Sequence, residues 1–242
     1  MQNRFAAGAA GRPDPRHELK YFISDAGHAQ LSTLLTSVLH ADTHGRANNE
    51  YFIRSLYFDD IYDTAYHTKM DGIEQRDKYR IRIYNCSDRE IFLERKHKQG
   101  EFISKSSVRI TRRLCEQLMD GNPTGLDRTD NPLLRDVFRE MRLNLLRPAV
   151  IVDYHREAYT HPAENVRITF DKRLHSGLFS HDLFNPALNG ISPLEPGQMI
   201  LEVKYNRYLP EHIRGILSTV PAVCCAISKY TLCRSFEPIS ED

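Results

Sequence analysis

The sequence predicts an α+β protein: a closed antiparallel β-barrel of about eight strands, with helices packed outside it. Two observations support this fold class. Short stretches in which apolar and polar residues alternate with period two recur along the chain. Turn residues at 85–88 and 99–100 separate three of these stretches, which is typical of antiparallel hairpins. Closing such a sheet removes its edges and leaves room inside for side chains and one small ligand.

The organisation of the chain indicates one domain. Its 242 residues are enough to bury a substantial core, and no repeat, low-complexity tract or linker divides them. We therefore predict a single domain over residues 16–242. Residues 1–15 are rich in Ala, Gly and Arg, and we expect them to form a flexible lead-in.

Strands and short helices alternate in the first half of the chain. The predicted elements are a strand over 16–23, a helix over 26–41, a strand over 53–59, a short helix that follows Asp60 and ends near Gly72, and three strands within 76–112. Ser24 and Asp25 supply an N-cap for the first helix. Apolar residues at helical spacing assign one face of this helix to the core: Leu31, Leu34, Leu35, Val38 and Leu39.

Helices are more frequent in the second half. The predicted elements are helices over 113–120 and 132–146, strands over 149–159, 166–174 and 198–206, and helices over 210–219 and 228–235. Pro148 ends the second of these helices. The stretch 179–196 contains Pro186 and Pro193 and is predicted to be a loop.

The charged residues of the strands fall on one face. In the strand 78–84, period two places Arg80 and Arg82 opposite Ile81 and Ile83. In a single strand, this pattern is explained by an ordinary half-exposed strand whose arginines point into solvent. The same pattern in seven strands favours a tunnel lined by cations, with the apolar faces packed outward against the helices. Inside it, unpaired buried charges would each cost several kcal/mol. The cations with this shared parity are Lys20, Arg80, Arg82, Lys96, Lys105, Arg156 and Arg167. Such a tunnel requires water and a polyanion inside.

Composition and missing motifs exclude several classes. The net charge of +1 provides no bulk electrostatic field to attract nucleic acid or an anionic membrane. Nucleic-acid binding is also disfavoured because the cations alternate inward and too few aromatic residues remain to stack bases on an open face. No apolar run reaches the roughly 18 residues of a spanning helix, so we expect no membrane segment. The five cysteines form no C-x-x-C pair, which indicates a reducing, cytoplasmic location. There is no G-x-x-x-x-G-K-[ST] loop, which excludes a P-loop kinase, and the histidines show no H-E-x-x-H spacing for a metal site.

Seven short pieces of the sequence resemble the vacuolar transporter chaperone (VTC) domain, the polyphosphate polymerase branch of the CYTH-like triphosphate tunnel metalloenzymes. In order, these pieces are Glu18-x-Lys20-Tyr21, Ser55-Leu56-Tyr57-Phe58-Asp59, Tyr79-Arg80-Ile81-Arg82, Glu94-Arg95-Lys96, Tyr154-x-Arg156, Glu202-Val203-Lys204 and Ser228-Lys229-Tyr230. Two positions depart from the pattern. Arg16 stands where CYTH proteins have the first glutamate of Glu-x-Glu-x-Lys, and Ala226 stands where polymerising relatives have a basic residue.

The resemblance implies a metal-dependent polyphosphate polymerase that transfers the terminal phosphate of ATP to a growing chain. It implies the following site residues: Lys20, Arg80, Arg82, Lys96, Arg156 and Arg167 at the reacting phosphates; Lys105, Tyr154, Lys204, Ser228 and Lys229 as further phosphate or nucleotide contacts; and Glu202 as the ligand of Mn²⁺ or Mg²⁺. The implied partners are ATP, pyrophosphate or triphosphate, polyphosphate, and a membrane protein that receives the product.

Two other functions stay open on the sequence alone. The same tunnel could hydrolyse triphosphate or nucleoside triphosphates, or it could be a non-catalytic sensor of polyphosphate, inositol phosphates or nucleotides. Chain extension from ATP separates polymerisation from both. Among the acids of the charged faces, Glu18 and Glu94 are expected to form salt bridges with Lys20 and Lys96, which lie two residues further along the same face.

Overall fold

The fold is described from a computed structural model, which covers residues 16–42, 49–100, 102–177 and 179–236. The predicted lead-in over residues 1–15 lies outside the described residues. None of the helices in the described ranges combines the length and the apolar character needed to cross a membrane.

The described residues form ten strands, six α-helices and two short 3-10 helices. The strands are β1 His17–Ser24, β2 His40–Ala41, β3 Glu50–Asp59, β4 Arg76–Tyr84, β5 Ser87–Gln99, β6 Phe102–Ile110, β7 Arg147–His161, β8 Val166–Ser176, β9 Gln198–Tyr205 and β10 Val223–Cys224. The helices are α1 Asp25–Thr36, α2 Thr64–Met70, α3 Arg112–Met119, α4 Pro132–Leu143, α5 Glu211–Leu217 and α6 Lys229–Arg234, with 3-10 turns at Leu126–Arg128 and Ala163–Asn165.

All ten strands belong to one sheet, and every described strand pair is antiparallel. The strand order is β10-β1-β9-β8-β7-β3-β4-β5-β6, and β2 pairs with β7. The predicted α+β class with an antiparallel sheet is confirmed. The prediction of a closed barrel is wrong, because β10 and β6 end the hydrogen-bonded order of the described strands and do not pair with each other.

Side chains, and not backbone hydrogen bonds, cross the seam of this curled sheet. Lys96 Nζ of β5 lies 3.2 Å from Glu18 Oε2 of β1, although six steps of the strand order separate β5 from β1. The segment before α6 also enters this gap, where Lys20 Nζ donates to the Ile227 carbonyl at 3.2 Å. Long charged side chains and the C-terminal segment therefore occupy the space that strand pairing would need.

Two hydrophobic cores cover the outer face of the sheet. Helices α3 and α4 pack on β4, β5 and β7 around Ile81, Leu93 and Val137. Helices α1 and α5 pack on β8 and β9 around Leu31, Ile168 and Ile213. The opposite side of the sheet, which carries the cations and is called the inner face below, holds α6. The prediction that the helices pack outside the sheet is therefore wrong for α6.

The first helix is shorter than predicted. It ends at Thr36 instead of continuing to residue 41, because His40 and Ala41 pair with Thr160 and Tyr159 of β7. Leu31, Leu35 and Leu39 are buried as expected. Leu34 and Val38 are each 37% exposed, so their assignment to the core is corrected: they lie to the side of the stripe that faces the sheet.

Candidate functional site

Cations outnumber carboxylates on the inner face. Asp42 and Asp59 contact residues of this face, Arg167 and Tyr230. The cations of the face are Lys20, Lys78, Arg80, Arg82, Lys96, Lys105, Arg156, Arg167, Lys204 and Lys229, and its other carboxylates are Glu18, Glu94, Asp171 and Glu202. They come from β1, β4, β5, β6, β7, β8 and β9, together with the start of α6. The sequence placed the strand residues of this set on one side because period two is a local property of a strand.

Glu94 lies at the centre of one group of cations. Its carboxylate contacts Arg80 at 2.7 Å and Lys105 at 2.5 Å, and Arg82 lies at 3.9 Å. Burial works to raise the pKa of Glu94, but these cations outweigh it and lower the pKa to about 2. The expected Glu94–Lys96 bridge is wrong, because the strand register places Arg80 directly opposite Glu94.

Acids and lysines alternate between β1 and β9. The register pairs Glu18 with Lys204 and Lys20 with Glu202. Glu18 contacts Lys20 at 2.8 Å, which confirms that expected bridge, and Lys204 contacts Glu202. Burial works against the charge of Glu18, yet the surrounding lysines lower its pKa to about 2. Lys96 joins this group from across the seam.

Asp171 holds the third group and is fully buried. Arg156 forms a bidentate pair with it, with Nε and Nη2 at 2.6 and 2.8 Å from the carboxylate oxygens, and Lys229 is a second partner. Both cations lie over the ring of Tyr154, at 5.3 and 5.0 Å from its centroid. Burial opposes ionisation of Asp171, and Arg156 and Lys229 nevertheless keep its pKa below the usual value.

Arg167 has different partners. One of its terminal nitrogens donates to Asp42 at 2.6 Å and to the Tyr51 hydroxyl at 3.1 Å. Its Nε is buried and has no hydrogen-bond partner in the structure. A buried donor without a partner is costly, so this atom is available to an added acceptor. Arg82 is also only loosely held, at 3.4 Å from Ser55 Oγ and 3.5 Å from the Tyr154 hydroxyl.

Helix α6 is anchored to the β3–α2 junction. The Tyr230 hydroxyl donates to Asp59, and Asp59 also accepts the backbone N–H groups of Ala65 and Tyr66 at 2.8 and 3.0 Å. At the other end of the helix, Arg234 donates to both oxygens of Asp63 at 3.0 Å. These contacts place the first residues of the helix on the inner face. The predicted pair Ser228 and Lys229 therefore lies next to the strand cations.

Lys78 is an inner-face residue that does not belong to the predicted site residues. Its ammonium donates to Ser228 Oγ at 2.9 Å and lies 5.0 Å from the centroid of the Tyr230 ring. No described carboxylate forms an ion pair with it. Burial, followed by repulsion from Arg76 and Lys69, lowers the pKa of Lys78 to about 7. Its shared parity with Arg80 could have identified it, but the family pieces begin at Tyr79.

The carboxylates of the inner face fit a metal ion only together with phosphate oxygens. The described residues contain no group of three His, Cys, Asp or Glu side chains that could hold a metal. Glu202 is buried and paired with Lys204, while Lys20, Lys229 and Arg156 also lower its pKa against the opposing effect of burial. It is therefore an ionised hard ligand among cations. Phosphate oxygens would have to complete the shell of a divalent ion and offset this positive charge.

Comparison with known proteins gives one family match. The sequence model of the VTC domain matches residues 15–236. No curated protein sequence matches the chain. Among solved structures, a Pyrococcus horikoshii protein is 14% identical with a TM-score of 0.48, covering 91% of this chain and 99% of its own. A putative adenylate cyclase from Bacillus halodurans is 13% identical with a TM-score of 0.47, covering 85% and 86%. By the domain match, the chain belongs to the VTC domain family.

Proposed function

We propose that this protein is a polyphosphate polymerase that transfers the terminal phosphate of ATP to the end of a polyphosphate chain. The observation that carries the proposal is the surplus of cations over carboxylates on the inner face of the curled sheet. Like charges gathered in a partly buried site destabilise the ligand-free protein. A phosphate chain is a ligand whose charge density offsets this repulsion along its whole length.

The chemistry of phosphoryl transfer suits these side chains. Because its transition state is loose, the reaction requires positioning and charge stabilisation more than covalent help. Arg80, Arg82 and Lys105 would hold phosphate oxygens beside Glu94, and Lys20, Lys96 and Lys204 would hold them beside Glu18. Arg156, Arg167, Tyr154, Ser228 and Lys229 would complete the site. Phosphate oxygens would take over part of the hydrogen bonding that carboxylates provide in the ligand-free protein.

Glu202 is the proposed ligand of Mn²⁺ or Mg²⁺. Because its neighbours are cations, we propose that the ion arrives together with the phosphates of its substrate. When bound, such an ion supplies additional charge neutralisation at the phosphoryl oxygens. Glu202 itself would orient the ion, and Lys204 would keep the carboxylate ionised.

One product analysis tests the proposal. The pure protein is incubated with ATP and manganese, and the products are resolved on a polyacrylamide gel. A polymerase produces ADP and a ladder of chains. A triphosphate hydrolase of the CYTH type produces only orthophosphate and shorter nucleotides, and a sensor produces nothing while still binding the phosphates. A protein with Arg82→Met and Lys96→Met is the matched control against a contaminating enzyme.

A further inference from the structure

Strand β6 forms one end of the hydrogen-bonded strand order and is long and exposed. Among the described residues it pairs only with β5. Every residue from Phe102 to Ser107 is exposed, and so is Arg109. The apolar side chains of Phe102 and Ile103 are 69% and 45% exposed. An open strand edge of this kind presents backbone N–H and C=O groups that can pair with another strand.

The backbone groups on the open side of β6 come from alternate residues. Gln99 pairs with Phe102 across a two-residue turn, and the register continues without a bulge to Ile91 and Ile110. Such a turn is closed by a hydrogen-bonded pair, and hydrogen-bonded and non-hydrogen-bonded pairs then alternate along the ladder. The even-numbered residues of β6 therefore bond to β5. The odd-numbered residues within 103–109 direct their N–H and C=O groups away from the sheet.

The side chains of β6 are self-complementary when the strand pairs antiparallel with its own copy. A two-fold axis perpendicular to the sheet keeps the inner and outer faces aligned and passes through one residue of each strand. With the axis at Ser106, all of β6 pairs and no like charges oppose each other. The opposed residues are then Phe102 with Ile110, Ile103 with Arg109, Ser104 with Val108, Lys105 with Ser107, and Ser106 with Ser106 of the other copy.

The charges of β6 disfavour the neighbouring registers. An axis at Lys105 would place two lysines opposite each other, and an axis at Ser107 would place Lys105 opposite Arg109. Directly opposed like charges destabilise a sheet. An axis at Ser104 or Val108 would pair only residues 102–106 or 106–110. Charged residues on an edge strand commonly prevent pairing, but here they leave one full-length register free of repulsion.

We propose that this protein forms a symmetric dimer in which the β6 strands of two copies pair antiparallel about Ser106. The pairing joins two ten-stranded sheets into one and places the exposed Phe102 against Ile110 of the second copy. A second copy is the partner that fits, because the same strand supplies both sides of every complementary pair. Lys105, which contacts Glu94 of its own chain, would lie opposite Ser107 of the second copy. The inner faces of the two copies would then be continuous, whichever reaction the protein catalyses.

A disulfide at the two-fold axis tests the register. Across the interface Ser106 opposes itself as a non-hydrogen-bonded pair, so the two Cα atoms would be about 4.5 Å apart, which is within disulfide range. Ser106→Cys should therefore form a covalent dimer with oxidised glutathione. Ser104→Cys is the matched control, because it is equally exposed on the same face but its two copies would be about 14 Å apart. The unmodified protein, treated in parallel, measures crosslinking through the native cysteines.

A charge substitution tests the same interface without oxidation. Ser107→Lys places a lysine opposite Lys105 on both sides of the axis, whereas Ser104→Lys places one opposite Val108. Sedimentation equilibrium measures the dissociation constant of the dimer. We expect Ser107→Lys to raise this constant about tenfold and Ser104→Lys to leave it within about twofold.

Three outcomes would overturn the inference. An unmodified protein that stays monomeric at every concentration has no such interface. Equal crosslinking of Ser104→Cys and Ser106→Cys contradicts the register. A dimer that Ser107→Lys leaves unchanged, and that Ser106→Cys does not crosslink, uses another surface of the molecule. None of these results depends on whether ATP is converted to polyphosphate, so a failure here is distinct from a failure of the proposed function.

Discussion

The Tyr230 hydroxyl donates a hydrogen bond to the buried carboxylate of Asp59 and thereby connects α6 to the junction of β3 and α2. Tyr230 also stacks on Tyr57 at a centroid distance of 5.2 Å, and the Tyr57 hydroxyl accepts a hydrogen bond from Arg80 at 2.8 Å. Through Tyr57, Tyr230 of α6 is therefore connected to Arg80, a residue of the proposed phosphate site.

Tyr230→Phe should destabilise the protein and weaken triphosphate binding. The substitution leaves Asp59 without one hydrogen-bond donor, which costs about 1–3 kcal/mol of the free energy of unfolding. It also loosens Ser228 and Lys229 at the start of the helix. Urea denaturation and titration with triphosphate measure the two effects. A stable variant with unchanged affinity would contradict this role of the contact.

Arg80 and Arg82 should behave differently when replaced by methionine. Arg80 neutralises the buried Glu94, so Arg80→Met should lower the free energy of unfolding by about 2–4 kcal/mol. Arg82 is only loosely hydrogen-bonded, so Arg82→Met should leave stability unchanged or raised while costing triphosphate binding about 1.5–3 kcal/mol. Melting curves with and without triphosphate check both. Equal stability of the two variants would show that Glu94 does not depend on Arg80.

Lys78 should give the ligand-free protein a pH-dependent stability. Burial lowers the folded pKa of Lys78 to about 7, below the usual lysine value of 10.5, so between these two pH values the unfolded state binds more protons. The contribution of Lys78 to the free energy of unfolding therefore rises as pH increases from about 7 to about 10.5. Lys78→Met should remove that slope, and so should bound triphosphate, which restores the charged form. Unfolding curves across this pH range, compared between the variant and the parent, provide the measurement; identical slopes would exclude the effect.

Glu202→Gln should retain the fold and much of the phosphate affinity while abolishing metal-dependent turnover. The substitution keeps the side-chain volume and removes the negative charge that a divalent ion requires. A manganese titration with ATP as substrate measures the loss. If the variant forms product at the parent rate throughout, Glu18 becomes the next residue to change, because it lies beside the same lysines.

The sequence predicted which residues share a face, and of their ion pairs it predicted Glu18–Lys20 but not Glu94–Arg80. Parity placed Arg80, Arg82 and Arg156 correctly on the inner face, because alternation depends only on neighbouring residues. The pairing of Glu94 with Arg80 depends on strand register, and the position of α6 on the inner face depends on the buried Asp59 and Asp63. Closure of the sheet failed as a prediction because side chains and the segment around Ile227 fill the seam, which no local pattern reveals.

The most direct test of the central claim follows the terminal phosphate of ATP. With ATP labelled at the γ-phosphate and manganese present, the proposed polymerase should place the label in chains longer than triphosphate, in amounts that match the ADP formed. Label found only in orthophosphate, with the same amount of ADP, would contradict polymerisation and assign hydrolysis to the site.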